Sequence, residues 1–257
     1  MAASTLYIDD LNVEYPGKKA LKDFSFEFSP SSSYSILGAS GSGKTTLLKA
    51  IDHMLPKSAS VSGSIRYGEH AIDEDSIKDL RGRTISYLLQ DPVSYFNPVY
   101  TISKQLEHSL YIKDRKLSRD DRKRMAASAL IKAELKAEDG KLYPHQMSGG
   151  MLQRAALAIA FLEKADIILL DEPTSGLDST REEFLLSKLV HLAKENGSIL
   201  IFVTHSLSSA LRFSDNILIM KDGSLIENGR SVDLEKRQMS EYGAMLFSAY
   251  SLGGEDD

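Results

Sequence analysis

Three short stretches of this 257-residue chain carry residue types suited to phosphate chemistry. "GASGSGKTT" matches G-x-x-x-x-G-K-[ST] from Gly38 to Thr45. Glycines at 38, 41 and 43 let backbone N–H groups converge on phosphate oxygens. Lys44 supplies a mobile cation for the β- and γ-phosphates of a nucleotide, and Thr45 a hydroxyl for Mg²⁺. "IILLDEP" is an apolar run that ends in two acids. A buried strand of this kind delivers its acids to the carboxyl edge of a sheet, where ligands bind. Asp171 is then placed to hold Mg²⁺, directly or through water. Glu172 is placed to orient and deprotonate an attacking water. In "HQMSGGMLQRAALAIAF", Ser148, Gly149 and Gly150 stand at the mouth of an apolar helix. Free N–H groups and the positive dipole end make such a mouth a second anion site.

The elements that must position these residues follow from periodicity and punctuation. "STLYIDDLNVEY" and "LKDFSFEFS" alternate as strands across a "PGKK" turn. "SYSILG" is a short apolar strand feeding the glycine-rich loop, and "KTTLLKAID" continues as a helix. "VSGSIRYGEHAI" and "TISYLLQ" are further strands. "DPVSYFNPVYT" reads as a proline-punctuated loop. From about Ile102 to Ala160 the pattern is helical, and its basic run "KDRKLSRDDRKRM" reads as a solvated helix face, with nucleic-acid contact as the alternative. Strand character resumes at "ADIILLDEP". A helix over "DSTREEFLLSKLVHLAKEN" is expected to open with Ser179 and Glu182 as a capping box. "GSILIFVTH" is a strand, "SLSSALRFS" a helix, and "NILIMKDGSLIENG" a hairpin around Asp222–Gly223. From Ser231 on, one or two short helices and a frayed acidic end are expected. The chain therefore reads as α/β, with a helical insertion at 91–160 between core segments 1–90 and 161–230, and a tail over 231–257.

Bulk properties narrow the function. The net charge of -5 argues against a protein that coats nucleic acid. There are no cysteines, so disulfides, cysteine zinc sites and thiol catalysis are excluded, which suits a reducing cytosol. No apolar run approaches the roughly 20 residues that span a bilayer, and the start lacks the pattern of a signal peptide. Membrane association is expected through a partner.

The phosphate loop, Gln90 at a strand end, "MSGGMLQR", "ILLDEP", "SGLD" and "VTH" occur in an order that closely resembles the ATP-binding-cassette family, over about residues 5–230. The resemblance implies a P-loop NTPase core of cassette type, an antiparallel β subdomain, and the inserted helical subdomain. It also accounts for two phosphate features in one chain: in that family the "SGG" helix covers the ATP of a second cassette, packed head to tail. The implied nucleotide contacts are Tyr15, stacking on adenine; Gly38, Ala39, Ser40, Gly41, Ser42, Gly43, Lys44, Thr45 and Thr46; and, across the dimer, Ser148, Gly149, Gly150 and Asp178. Tyr15 has core burial as its alternative, and Asp178 a helix cap. Glu172, His205, Gln90 and Lys44 form the implied catalytic set, and Thr45, Gln90 and Asp171 the Mg²⁺ set. Ser206 departs from the acidic residue often found after that histidine, which puts the local hydrogen bonding in question.

"QDPVSYFNPVYTI" and "LYPHQMSGGMLQR" resemble the branch that imports oligopeptides, dipeptides or nickel and other metal chelates. "EYGAMLFSAY" faintly echoes a tail motif of that branch, without its proline and threonine. The chain stops short of the cysteine-bearing tail of longer peptide importers, which tilts the expectation toward metal chelates. The resemblance implies a second ATPase subunit, two transmembrane permease subunits docking near the stretch after Gln90, an extracellular or periplasmic substrate-binding protein, and a place on the cytoplasmic face of the membrane. An exporter ATPase and a cassette ATPase acting on nucleic acid are the alternatives; the chain lacks fused membrane helices and sustained heptads.

Overall fold

The computed structural model describes residues 4–88, 91–173, 178–234 and 240–252. Strands β1 (Leu6–Tyr15) and β2 (Lys18–Phe28) pair antiparallel, and β1 also pairs β4 (Ser60–Tyr67), which carries the two-residue β5 (His70–Ala71). The alternation of β1 slips at Asp9–Asp10, both exposed, and Asp10 takes φ 48°. The register with both neighbours shifts there, as an inserted residue requires.

A second sheet of six strands runs β10-β9-β3-β8-β7-β6. Its members are β3 (Ser33–Leu37), β6 (Ile85–Leu88), β7 (Ile167–Asp171), β8 (Ile199–Val203), β9 (Asn216–Lys221) and β10 (Ser224–Arg230). Neighbours are parallel from β9 through β6; only β10 runs antiparallel, as the second arm of the hairpin at Asp222–Gly223. All residues of β3, β6, β7 and β8 are buried, as expected of parallel strands covered on both faces.

One face of this sheet packs against α1 (Lys44–Ile51) and the antiparallel sheet, through Leu47, Leu48, Leu169, Ile201 and Phe28. The other packs against α6 (Gly149–Glu163) and α7 (Ser179–Asn196), where Leu157, Phe161 and Leu189 meet Leu170, Leu200 and Phe202. Each such side chain contributes on the order of 1.5–3 kcal/mol on burial. The carboxyl ends of β3 and β7 thereby emerge side by side with β8 between them, and carry the glycine-rich loop and Asp171–Glu172.

The short α2 (Ile77–Leu80) precedes β6, and between β6 and β7 lie α3 (Pro92–Tyr95), α4 (Ile102–Lys113), α5 (Arg119–Lys132) and two 3₁₀ turns before α6. The proline-punctuated stretch is thus partly helical. Asp91 caps α3 by accepting from the N–H groups of Val93 and Ser94, and Pro92 fills the first helical position, where no N–H is needed. Helix α6 continues through residue 160 and joins the insertion to the core in one piece.

The start of α7 differs from expectation by one residue. Asp178 is the cap and accepts from the N–H of Arg181 at 3.0 Å, so Ser179 is already helical. Glu182 does not close a box: its carboxylate accepts from the Ser209 hydroxyl at 2.8 Å, on α8 (Leu207–Phe213). Two capping residue types stand in succession, and the carboxylate takes the role. At the far end, α9 (Ser231–Leu234) and α10 (Glu241–Leu252) are present, and Leu246 and Phe247 of α10 bury against β9. The acidic end expected to fray lies outside the described residues.

Candidate functional site

The glycine-rich loop joins β3 to α1 and is fixed by close packing. Gly38 has φ 151°, and a Cβ there would lie 2.3 Å from the Met220 carbonyl oxygen. Gly43 has φ 104°, caps α1, and would put a Cβ 2.6 Å from the Ala20 carbonyl oxygen. The loop is held between β9 and β2 at distances that only glycine permits. Lys44 is buried and donates from Nζ to the carbonyls of Gly38 (2.7 Å) and Ala39 (3.1 Å). Desolvation pushes its pKa down, and the carboxylates of Glu172 and Asp171 oppose that shift. A desolvated cation whose hydrogen bonds go to two backbone carbonyls suits an arriving polyphosphate.

Beside it, Thr45 donates from Oγ1 to Asp171 Oδ1 at 3.1 Å, and the Tyr87 hydroxyl donates to Asp171 Oδ2 at 3.3 Å. Burial pushes the Asp171 carboxyl up, and the Thr45 bond pulls it back. A hydroxyl and a carboxylate at this spacing form the all-oxygen donor set that Mg²⁺ takes alongside phosphate oxygens. Glu172 follows with φ 50°, its N–H donated to the Val203 carbonyl. Its Oε1 lies 2.6 Å from Nε2 of His205, just past β8. Ser206 caps α8 by accepting from the Ser209 N–H at 3.1 Å, which answers the question its departure raised.

An open cavity of about 240 Å³ gathers Tyr15, Ser40, Gly41, Gly43, Lys44, Thr45, Thr46, Glu172 and His205. Tyr15 is half-buried at the end of β1 and faces this cavity. Three expected contacts sit behind it. Gly38 is wedged against Met220; Ser42 is buried and donates its N–H to Ala39 at 3.1 Å; Ala39 donates its own N–H to the Tyr242 hydroxyl of α10 at 3.3 Å. These residues shape the loop. Gln90 lies outside the described residues, as do residues 175–177 of the "SGLD" stretch.

Ser148, Gly149, Gly150 and Asp178 do not line this cavity. Ser148 caps α6 by accepting from the Met151 N–H, so the helix begins at Gly149, within the expected mouth. A Cβ at Gly149 would meet nothing within 4 Å, and its φ is not in the left-handed region. Its own chain gives no reason for glycine there. Asp178 is the cap of α7, and its Oδ2 also meets Arg181 at 2.9 Å.

Three neighbours escaped the sequence reading. Lys18 and Ala20 line the cavity from β2. Tyr87 lies three residues before Gln90, and "TISYLLQ" carries no signal that the ring reaches Asp171. Tyr87 also lines a larger groove of about 870 Å³ between the β6 end and α3–α4, with Tyr95, Phe96, Tyr100, Asp52 and Glu163. In that groove Asp52 is pushed up to about 6 by burial, opposed by Arg81, whose Nε donates to it at 3.1 Å.

Comparison with known proteins places this geometry. The family model described as ABC transporter matches residues 21–175. An oligopeptide transport ATP-binding protein of Mycobacterium tuberculosis, OppD, is 29% identical over 228 residues, covering 87% of this chain and 37% of that protein. The dipeptide transport ATP-binding protein DppD of Lactococcus lactis is 31% identical over 220 residues, 82% of this chain and 62% of its own length. A putative peptide import ATP-binding protein of Brucella abortus is 30% identical over 257 residues, covering 96% and 77%. The chain thus spans 37% of the mycobacterial relative and less than two thirds of the lactococcal one. Among solved structures, the post-hydrolysis dimer of the ATP-binding cassette MJ0796 bound to ADP and Pi superposes with a TM-score of 0.80 at 28% identity, covering 91% of this chain and all of that one. The cbiO1 protein of Clostridium perfringens, part of the ABC transporter complex cbiONQ, gives 0.76 at 27% identity, covering 91% and 92%.

Proposed function

The chain belongs to the ABC transporter family, and on that premise we propose that it is the ATP-binding and ATP-hydrolysing subunit of a peptide importer. The observation that carries this is the convergence of Lys44, Thr45, Glu172 and His205 on one cavity, with Glu172 and His205 2.6 Å apart. Lys44 exchanges its two carbonyl partners for phosphate oxygens. Thr45 and Asp171 would hold Mg²⁺, which when bound would supply neutralisation of phosphate charge. Glu172 accepts the proton of the attacking water, and His205 keeps its carboxylate aimed. The family resemblance adds Gln90 to this set, and Tyr15 packs on the adenine ring.

The half-site at Ser148–Gly150 serves a second cassette, identical or related. Gly149 supports this, because its bare Cα faces open space and admits the close approach of a foreign phosphate. Asp178 reaches the same interface while capping its helix. The 870 Å³ groove receives one of two permease subunits, and Tyr87 ties its wall to Asp171, so docking and nucleotide state share a side chain. We assign residues 1–90 and 161–230 to the core, 91–160 to the helical subdomain and 231–257 to a tail. Peptides are the favoured cargo over nickel or metal chelates, since the relatives above carry peptide names. No helix among the described residues is long and apolar enough to cross a membrane, which fits attachment to permeases at the cytoplasmic face, with a substrate-binding protein on the other side.

The test is Glu172→Gln in the complex purified from its host. ATP binding is expected to persist, hydrolysis to fall by at least about 100-fold, and the two cassettes to stay crosslinked. Near-normal steady-state hydrolysis would overturn the reading.

A further inference from the structure

The basic run that the ATPase reading leaves unused forms a coherent surface. Residues 113–124 carry seven Lys/Arg and three Asp, a local charge of +4 (7 − 3) in a chain of net charge -5. Only two of the seven are neutralised within α5: Lys123 pairs with Asp120 at 3.9 Å and Arg124 with Asp121 at 2.7 Å. Arg115, Lys116 and Arg119, in and after the α4–α5 turn, are exposed and take part in no ion pair among the described residues. Tyr111 organises the patch. The Arg115 and Arg122 guanidinium carbons lie 5.9 and 5.2 Å from its ring centroid, which gathers both around one aromatic. Tyr111 is 42% and Ile112 41% exposed in the midst of these cations. Exposed Arg83 joins them by donating from Nε to the Ile112 carbonyl at 3.0 Å.

We infer that this turn contacts anionic lipid headgroups directly, beyond any attachment through permease subunits. Unpaired cations draw the turn to a negative bilayer surface. An aromatic and a β-branched side chain left at the same spot suit the headgroup–acyl boundary. A phosphodiester backbone would use the cations but has no place for Ile112. The patch adjoins the groove assigned to the permease, since His108 and Ile112 line that groove, and this orientation of the turn toward the bilayer rests on the proposed function. The negative remainder of the chain is repelled by the same surface, which favours approach by this edge.

The 257-residue chain is tested by flotation with vesicles of phosphatidylglycerol mixed with phosphatidylcholine, and of phosphatidylcholine alone. Binding to the anionic vesicles only, weakening with salt, is expected. Each cation near such a surface is worth about fivefold in partitioning, so Arg115→Gln, Lys116→Gln and Arg119→Gln together should weaken binding about 100-fold. The triple Lys136→Gln, Lys141→Gln and Arg230→Gln removes the same charge elsewhere and should weaken it less than about fivefold. The inference is overturned if the wild-type chain ignores anionic vesicles, if it binds neutral ones equally, or if the two triples lose binding alike. It is also overturned if a short DNA duplex, and not lipid, depends on the three turn residues. ATP turnover by the Glu172→Gln complex reports on the ATPase reading separately, whatever the vesicles show.

Discussion

Gly149→Ala separates what this chain needs from what a partner needs. A methyl at Gly149 meets no atom within 4 Å, and the backbone there suits any L-residue. Replacing a glycine in such a position stabilises by about 0.4–1 kcal/mol, because the unfolded chain loses freedom. For a domain of this size each kcal/mol shifts the melting temperature by about 2–4 °C, so the isolated variant should melt about 1–4 °C higher. In the assembled complex the same methyl would stand where a phosphate of the opposing cassette must come within hydrogen-bonding distance of the α6 amides. Losing one such preorganised donor contact costs about 2.7–4 kcal/mol, or 100- to 1000-fold in turnover. The assay is paired: calorimetry on the isolated chain, and ATP hydrolysis by the complex. A lower melting temperature would show that the fold itself needs this glycine. Unchanged turnover would remove the trans half-site, and with it the explanation for two phosphate features in one chain.

Ser148→Arg should block ATP-dependent crosslinking of two cassettes while leaving nucleotide binding by the isolated chain largely intact, and Ser148→Ala, which loses the cap bond from Met151, should cost about 1 kcal/mol of stability; unchanged crosslinking in Ser148→Arg would remove the trans half-site. Tyr87→Phe removes one hydrogen bond to Asp171 and should raise the Mg²⁺ concentration for half-maximal hydrolysis about tenfold with little change in nucleotide affinity; an unaltered Mg²⁺ titration would reject this role. The Asp52 carboxyl, raised to about 6 from an ordinary 3.8, binds its proton more readily in the folded chain than in the unfolded one. On its account stability should fall as pH rises from about 4 to about 6, by on the order of 3 kcal/mol. Asp52→Asn should flatten that part of the melting-temperature profile, and an unchanged slope would place the proton elsewhere.

What the sequence made legible was mainly contiguous. The loop from Gly38 to Thr45 and the strand ending at Asp171–Glu172 each hold their chemistry within a few residues, so local pattern finds them. The same holds for the Asp222–Gly223 hairpin. Tyr87 and Asp171 stand 84 positions apart, and Lys18 reaches the cavity only because β2 returns beside the loop. No spacing rule links such pairs; sheet order does, with β6 next to β7. The start of α7 was misread because two residues with capping chemistry are adjacent and only geometry chooses between them. Helix α3 was hidden by its prolines, although Asp91–Pro92 is itself a helix-opening pair. For Gly149 the residue type was legible, but the open space around it was not.

The torsion at Glu172 has a consequence for descent. A side chain other than glycine held at φ 50° costs on the order of 1–2 kcal/mol. Any copy of this chain freed from the need to turn over nucleotide would become sturdier by exchanging that glutamate for glycine, and the path back would run uphill in stability. On the proposed role for Glu172, that strain is stability given up to keep its carboxylate at the site. Silent, binding-only descendants of such a chain should be recognisable by a relaxed backbone at this one position.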